Sequence, residues 1–443
     1  MNASDAETAS HGKAISVTHR PHNREREMTS RTDVVVIGAG SAGLATSALL
    51  MRAGIDHVVL ERGQIGQSWR SQRWDSFTLN TPNWCNGLAG MDFYPEAPGA
   101  FVDCGALVSY FENFVAKFDL PIQSHTNVSK VGRHGDDMYA VRTQADEILA
   151  RAVVLASGGM NRARLPRLSD SLPKYLVVLS AGGTYRNPEA LPAGAVVVVG
   201  SGQSGCQIVE DLLDAGRRVY LSTSRVARVP RVYRGRDILA WWQDMGLLRT
   251  RLDELKDPSL QFAAQPQVSG TRGGHTLSLQ SLARDGASLI GRVDGVEGDV
   301  LKLHPNVREC IDFADEKARA FKTGVDEYIE RTGLKVEPVS PDPGEPSLPD
   351  LDRIYTWEQL DLQRRGVTSL IWCTGFDADW GWVESDVFDD HGRPVHKDGI
   401  CPSPGLYFIG LPWLSTRSSG ILYGVSADAA RIVQDIERNL IHH

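Results

Sequence analysis

The sequence predicts an α/β protein with two dinucleotide-binding (Rossmann-like) domains, on three observations. An apolar run, Asp33-Val34-Val35-Val36-Ile37, leads into a glycine-rich turn and a stretch that reads as helix. The same grammar returns at 195–225, with Gly200 standing 162 residues after Gly38. The chain has 443 residues, enough for two to three domains. Its 42% apolar and 23% charged residues are those of a water-soluble globular protein.

The elements follow in order. Residues 1–31 are polar, lack an apolar h-region and are read as a disordered tail without a secretory signal. Order is expected from Thr32. The run at 33–37 is a strand buried on both faces, because it is continuously apolar where a half-exposed strand would alternate. A helix from Ser41 to Arg52 closes at Gly54, and His57–Glu61 is the next strand. A Trp-rich loop (69–84), a helix near 105–118 and a strand at Ala152–Ala156 come next. Ala195–Val199, a turn, a helix through Leu213, Gly216 and Arg218–Leu221 form the second unit. Asn306–Glu330 reads as helix. Five prolines in 338–349 suit an exposed crossover. Ser369–Trp372 and Leu406–Ile409 are strands, and Ile421–Ile436 is a closing helix. The domain division read from this order is 32–165 with 351–443 for the first domain, and 166–350 inserted as the second.

Composition excludes several classes. Lys and Arg number 47 against 55 Asp and Glu, so the net charge of −8 argues against a nucleic-acid partner, which would need a basic face. No window approaches the apolar length of a membrane span. The six cysteines, at 85, 104, 206, 310, 373 and 401, form no CxxC or CxxxxC pair, which disfavours a disulfide scaffold, a zinc ribbon and a dithiol reductase. A cytoplasmic location is expected. The 12 His show no HxH or HExxH, so no metal site is expected. No GxSxG elbow of a hydrolase is present.

The two glycine turns carry the chemistry. In Gly38-Ala39-Gly40-Ser41-Ala42-Gly43, Gly38 permits the tight turn, Gly40 lets backbone approach a pyrophosphate, and Gly43 lets helix and strand pack closely. The helix N-terminus offers N–H groups to the anion. Glu61, 23 residues after Gly38, is placed to accept from ribose hydroxyls. The second turn, Gly200-Ser201-Gly202-Gln203-Ser204-Gly205, is followed by Ser222-Thr223-Ser224-Arg225, where no acid holds the ribose position. Arg225 suits an adenosine 2′-phosphate, with Arg228, Arg231 and Arg234 as nearby cations that could assist or simply be solvated. One Glu-type and one Arg-type site imply FAD in the first domain and NADPH in the second.

From Thr32 to its end the chain resembles the class B flavoprotein monooxygenases, above all the bacterial flavin-containing-monooxygenase-like flavoproteins. Gly66-Gln67-Ser68-Trp69-Arg70 is similar to their GGxW segment, and Arg73–Pro82 to their YDSLxxNxP stretch, which puts the family's active-site Asn on Asn80. Leu155–Gly158 and Cys373-Thr374-Gly375-Phe376 resemble the two ATG-type crossovers, and Gly405–Gly410 the strand that ends at the ribityl chain. Two departures stand out. Leu411 replaces the usual Asp, and the fingerprint segment 176–188 keeps Tyr185-Arg186-Asn187-Pro188 but lacks its His.

The resemblance implies a cycle in which NADPH reduces FAD, O2 forms a C4a-(hydro)peroxyflavin, and one oxygen enters a small N-, S- or carbonyl-bearing substrate. It implies Asn80, Trp74 and Arg70 as the residues nearest the chemistry, with Trp69, Trp84 and Trp413 as further pocket walls or ordinary core. The cofactor-binding set is Gly38, Gly40, Ser41, Gly43, Glu61, Arg62, Trp69, Val128, Gly375, Gly410, Gly200, Gly202, Gln203, Ser204, Ser224 and Arg225. The partners expected are O2 and a small-molecule substrate, with homo-oligomerisation left open. Two alternatives stay open: an NADPH-dependent flavin oxidase or reductase without oxygen insertion, and a non-catalytic flavoprotein that senses redox state.

Overall fold

The computed structural model describes residues 29–345 and 355–441. The first large sheet begins with β1 (Thr29–Ile37), three residues ahead of the expected onset of order, and the rest of the expected tail lies outside the described residues. Val34, Val35 and Val36 are fully buried, as a strand covered on both faces requires. Helix α1 (Ser41–Ala53) follows and stops at Gly54, whose φ of 69° is the left-handed cap. β2 (His57–Leu60), β3 (Ile122–Gln123), β4 (Lys130–His134), β5 (Met138–Arg142) and β6 (Glu147–Leu155) complete most of the sheet. Between β2 and β3 lie α2 (Gln67–Ser71) and α3 (Cys104–Phe118), the latter N-capped by Asp103 through the Ala106 N–H.

The second sheet holds β7 (Val177–Ser180), β8 (Ala195–Val199), β9 (Val219–Ser222), β10 (Ser288–Ile290) and β11 (Val367–Trp372), in the order β10-β9-β8-β11-β7 and parallel throughout. Its helices are α4 (Gln203–Asp214), α5 (Ile238–Asp244), α6 (Leu279–Arg284) and the 26-residue α7 (Val307–Thr332). The chain then returns to the first sheet through β12 (Val383–Glu384) and β13 (Leu406–Phe408) and ends in α8 (Leu422–Ile441). The first sheet runs β12-β4-β5-β6-β1-β2-β3, with β13 pairing β6.

One strand crosses the division read from the sequence. Residues 367–372 were assigned to the returning first domain, yet β11 pairs in register with β8 and β7 of the second sheet. Hydrophobic run length identifies a buried strand but carries no information on which sheet it joins. The proline-rich segment is exposed over most of its described part, as expected of a crossover, but it turns inward at Asp342 and Gly344. Asp342 is 4% exposed at its side chain and faces the fully buried Arg228 at 3.1 Å. Residues 346–354 of that segment lie outside the described residues. Among the described residues no helix is long and apolar enough to cross a membrane.

Candidate functional site

The first turn is shaped by steric necessity at two glycines and left open at the third. Gly38 has φ 111°, and a Cβ there would lie 2.6 Å from the Ala156 carbonyl oxygen. A Cβ on Gly43 would lie 1.8 Å from the Gly38 oxygen. A Cβ on Gly40 would meet nothing within 4 Å. Gly40 caps α1 without a side-chain hydrogen bond, and the first turn holds no acid. An uncapped helix start beside open space is the feature a pyrophosphate uses. Glu61, 7% exposed, is fixed beside the turn: Ala39 N–H donates to Oε2 at 2.8 Å and Gly63 N–H to Oε1 at 2.9 Å. Each oxygen keeps a further acceptor site for a ribose hydroxyl.

Other residues of the expected set lie at this turn or apart from it. Ser41 opens α1, and Gly410, just beyond β13, comes so near that its Cβ would sit 2.9 Å from the Ala42 Cβ. Gly66 N–H donates to the Ala39 carbonyl at 3.0 Å, which ties α2 and its Trp69 to the turn. Arg62 is exposed next to Glu61, and Val128 packs on the core below. Gly375 (φ 92°) lies after β11, where its carbonyl accepts from Arg164 N–H.

The second turn repeats the geometry. Gly200 has φ 107°, with a Cβ 2.6 Å from the Cys373 oxygen, Gly205 would place a Cβ 1.8 Å from the Gly200 oxygen, and Gly202 is open. Gly202 caps α4 with no side-chain bond, and Gln203 and Ser204 form its first turn. Ser224 is locked to the turn: its N–H donates to Ser201 Oγ at 2.9 Å. Arg225 is exposed and stacks on Phe313 of α7 at 4.6 Å. A cleft of about 460 Å³ at this strand end is lined by Arg225, Phe313 and Arg319, and also by Glu309, Asp312 and Glu316.

The neighbouring arginines are committed elsewhere. Arg228 faces Asp315 (2.6 Å), Asp342 and Glu345, Arg231 faces Asp237 (2.7 Å), and Arg234 faces Asp326 (2.6 Å). Sequence shows a basic run of three but not that each has a carboxylate partner, brought for Arg228 and Arg234 from far along the chain.

Asn80 joins the two units. Its Nδ2 donates to Gln203 Oε1 at 3.1 Å, and its Oδ1 accepts from Gln207 Nε2 at 2.8 Å. Arg231 donates to the Asn80 carbonyl at 2.7 Å. Gln203 and Gln207 are one helical turn apart on α4, the spacing that puts two side chains on one face. That spacing is the signal by which Gln207 could have been found. The tail of the fingerprint docks the same loop: Arg186 donates to the carbonyls of Ser71 and Arg73, and Asn187 to Asp75 at 2.7 Å. Ser76 and Tyr185 both donate to Asp211 of α4.

The other two residues expected nearest the chemistry are placed differently. Trp74 is 4% exposed and packs edge-on against Phe77 at 5.0 Å, a core position. Arg70 donates to the Ile65 carbonyl and pairs with Glu112 at 2.5 Å, both in the first unit. Leu411, where the resemblance expects Asp, is buried. All six cysteines are free, and burial pushes Cys373 up to about 12. Among the described residues no group of three or more His, Cys, Asp or Glu is arranged to hold a metal ion.

Two uncapped glycine turns, each set between a pair of parallel strands (β1 with β2, β8 with β9), define a two-dinucleotide oxidoreductase. Comparison with known proteins specifies the class. A family described as pyridine nucleotide-disulphide oxidoreductase matches residues 35–238. An uncharacterised CzcO-like oxidoreductase of Geobacillus kaustophilus is 29% identical over 91% of this chain and 98% of its own. The probable indole-3-pyruvate monooxygenase YUCCA1 of Arabidopsis thaliana is 24% identical over 94% of this chain and 93% of its own. The fold matches a flavin-containing monooxygenase from Stenotrophomonas maltophilia at a TM-score of 0.64 and 18% identity, covering 93% of this chain and 99% of that one. The chain is similar to these oxidoreductases over nearly its whole length, and flavin monooxygenases, the class its motifs resemble, stand among the proteins it is similar to.

Proposed function

We propose that this chain is an FAD- and NADPH-dependent monooxygenase that places one oxygen of O2 in a small N-, S- or carbonyl-bearing substrate. The observation that carries this is Asn80, which bridges the loop beside the first turn to Gln203 and Gln207 at the head of the second dinucleotide helix. Its amide ties the loop that follows α2 to the start of the second dinucleotide helix.

The residues fit both cofactors. The α1 start at Gly40 and Ser41 would take the FAD pyrophosphate, and Glu61 its ribose. The α4 start at Gly202, Gln203 and Ser204 would take the NADPH pyrophosphate, and Arg225 its 2′-phosphate. FAD when bound supplies the redox chemistry: hydride from NADPH and a proton are consumed with O2, one oxygen passes to substrate and the other leaves as water. The chain's own part is to position and to exclude water. Asn80 offers a neutral donor and acceptor without a competing acid. The Arg186, Asn187 and Asp211 contacts hold the 71–76 loop against the second unit. The six unpaired thiols support a cytoplasmic location.

Leu411 favours a second reading, an NADPH oxidase or reductase without oxygen insertion, because it removes a polar contact expected at the ribityl chain. Turnover with NADPH under ¹⁸O2 across amines, sulfides and ketones separates the two. Labelled product is expected. Stoichiometric hydrogen peroxide with no labelled product from any of them would sink the monooxygenase.

A further inference from the structure

The buried arginines of the second unit are matched by carboxylates, and Arg251 likewise faces Asp398 at 3.0 Å. Arg417 is not. It is partly buried, its guanidinium lies over the face of Trp242 at 4.5 Å, and among the described residues no oxygen accepts from it. Its position is built rather than incidental. Arg417 N–H donates to the Thr250 carbonyl at 2.8 Å and Ser418 N–H to the Leu248 carbonyl at 3.1 Å. Four residues earlier Trp413 has φ 55°, a left-handed conformation that a bulky side chain adopts only when its surroundings impose it. Burial pulls the Arg417 guanidinium down from its ordinary value, with no counter-charge to oppose it.

The surroundings are aromatic and lead towards Asn80. Trp242 belongs to an apolar cluster with Cys85, Leu248 and Val268, on which Trp84 and Tyr423 pack. Trp84 and Tyr423 meet edge to face at 5.9 Å. Trp84 follows Asn80 by four residues, and the Val268 carbonyl accepts from Gln207, which also holds Asn80. Tyr423 is in the first turn of α8. A guanidinium stacked on an indole keeps its edge free, and that edge is the fork that matches a carboxylate.

We propose that Arg417 is an anion receptor of the substrate site. It takes the carboxylate of a small acid whose apolar body lies along Trp242, Trp84 and Tyr423. The chemistry at the far end of that acid rests on the monooxygenase proposed above; the binding does not.

The test uses the FAD-loaded enzyme and a matched pair of probes, (phenylthio)acetate and its neutral amide, titrated by calorimetry. The wild type is expected to bind the acid about ten- to a hundredfold more tightly than the amide, the worth of one charge-assisted contact, with an advantage that shrinks as salt is added. Arg417→Gln should erase the difference while keeping amide binding, and Arg417→Lys should keep part of it. FAD content and thermal midpoint are read on each sample. If the Gln variant does not fold, the wild-type pair and the Lys variant decide. Equal binding of acid and amide by wild type, an advantage that survives Arg417→Gln, or binding of neither probe overturns the proposal. Acid binding without sulfoxide formation under NADPH and O2 counts against the monooxygenase and leaves the receptor standing. Sulfoxide formed equally from both probes and unaffected by Arg417→Gln does the reverse.

Discussion

The two glycine turns are near copies in backbone and opposites in surroundings. In each, the first glycine is pressed against a carbonyl of a neighbouring crossover, Ala156 or Cys373, at the same 2.6 Å for a built Cβ. In each, the third glycine would put a Cβ 1.8 Å from the oxygen of the first. The middle glycine alone is free in both. What differs lies at the end of the next strand. The first turn has a buried Glu61 pinned by two backbone donors, whereas the second has Ser224 locked to Ser201 and an exposed Arg225. The backbone is therefore alike in the two turns, and in the function proposed above the residue after the second strand decides which dinucleotide each takes.

The sharpest way to break this comparison is to fill the open position in each turn. Gly40→Val should yield colourless protein that cannot be reconstituted with FAD. Gly202→Val should stay yellow but lose reduction by NADPH by about a hundredfold or more, since a side chain there displaces the pyrophosphate from its N–H donors. Absorbance of the purified protein and anaerobic stopped-flow reduction check the pair. A yellow Gly40→Val variant would reverse the assignment of the turns.

Asn80→Asp tests the bridge between them. It removes the donor to Gln203 Oε1 and sets a carboxylate against that oxygen. FAD content and flavin reduction should be unchanged. Oxygenated product per NADPH should fall about ten- to a hundredfold, with hydrogen peroxide rising in its place. A variant that couples as well as wild type makes Asn80 a turn residue and nothing more.

Arg225→Ala sharpens the difference between the turns. The preference of kcat/KM for NADPH over NADH should narrow about tenfold, towards the lower end for a charged contact because Glu309, Asp312 and Glu316 line the same cleft. Glu316→Gln should widen it by about two- to fivefold, the range of an exposed charge effect. If Arg225→Ala leaves the preference intact, the 2′-phosphate contact must come from Arg319, because Arg228, Arg231 and Arg234 are already paired.

The smallest expected effect concerns the two helices. On α1, Ser47 bonds His57 at 2.7 Å, and burial lowers the His57 pKa. On α4, Glu210 bonds His275 at 2.6 Å and raises the His275 pKa. His57 therefore contributes stability above its unfolded pKa near 6.5 that is lost as pH falls. His275 contributes stability below 6.5 that is lost as pH rises through its folded value. The thermal midpoint against pH should lose part of its acid slope in His57→Gln and part of its alkaline slope in His275→Gln, each by about 2 °C. The same change of slope in both variants would contradict the opposed environments.

Much of this molecule was legible in the sequence because it is locally encoded. A continuous apolar run, a GxGxxG and a helix period fix α1, β8 and α4 to within a residue or two of their observed limits, and likewise the C-terminal end of β1, whose start lies four residues before the expected strand. Leu406–Ile409 and α7 were found in the same way. Glu61 and Arg225 could be placed because a strand end following such a turn has one defined position.

What only the tertiary structure decided are pairings between distant segments. The membership of β11 in the second sheet, the carboxylates that claim Arg228 and Arg234, and the core position of Trp74 each depend on residues far apart in the chain. The same holds for Asn80, whose partners Gln203 and Gln207 are 123 and 127 residues away. Periodicity reports whether a side chain is buried, whereas its partner is set by how two independently encoded units dock. Arg417 is the clearest case: its residue type is plain in the sequence, but that it stands on Trp242 with no counter-ion among the described residues is a property of the packed molecule alone.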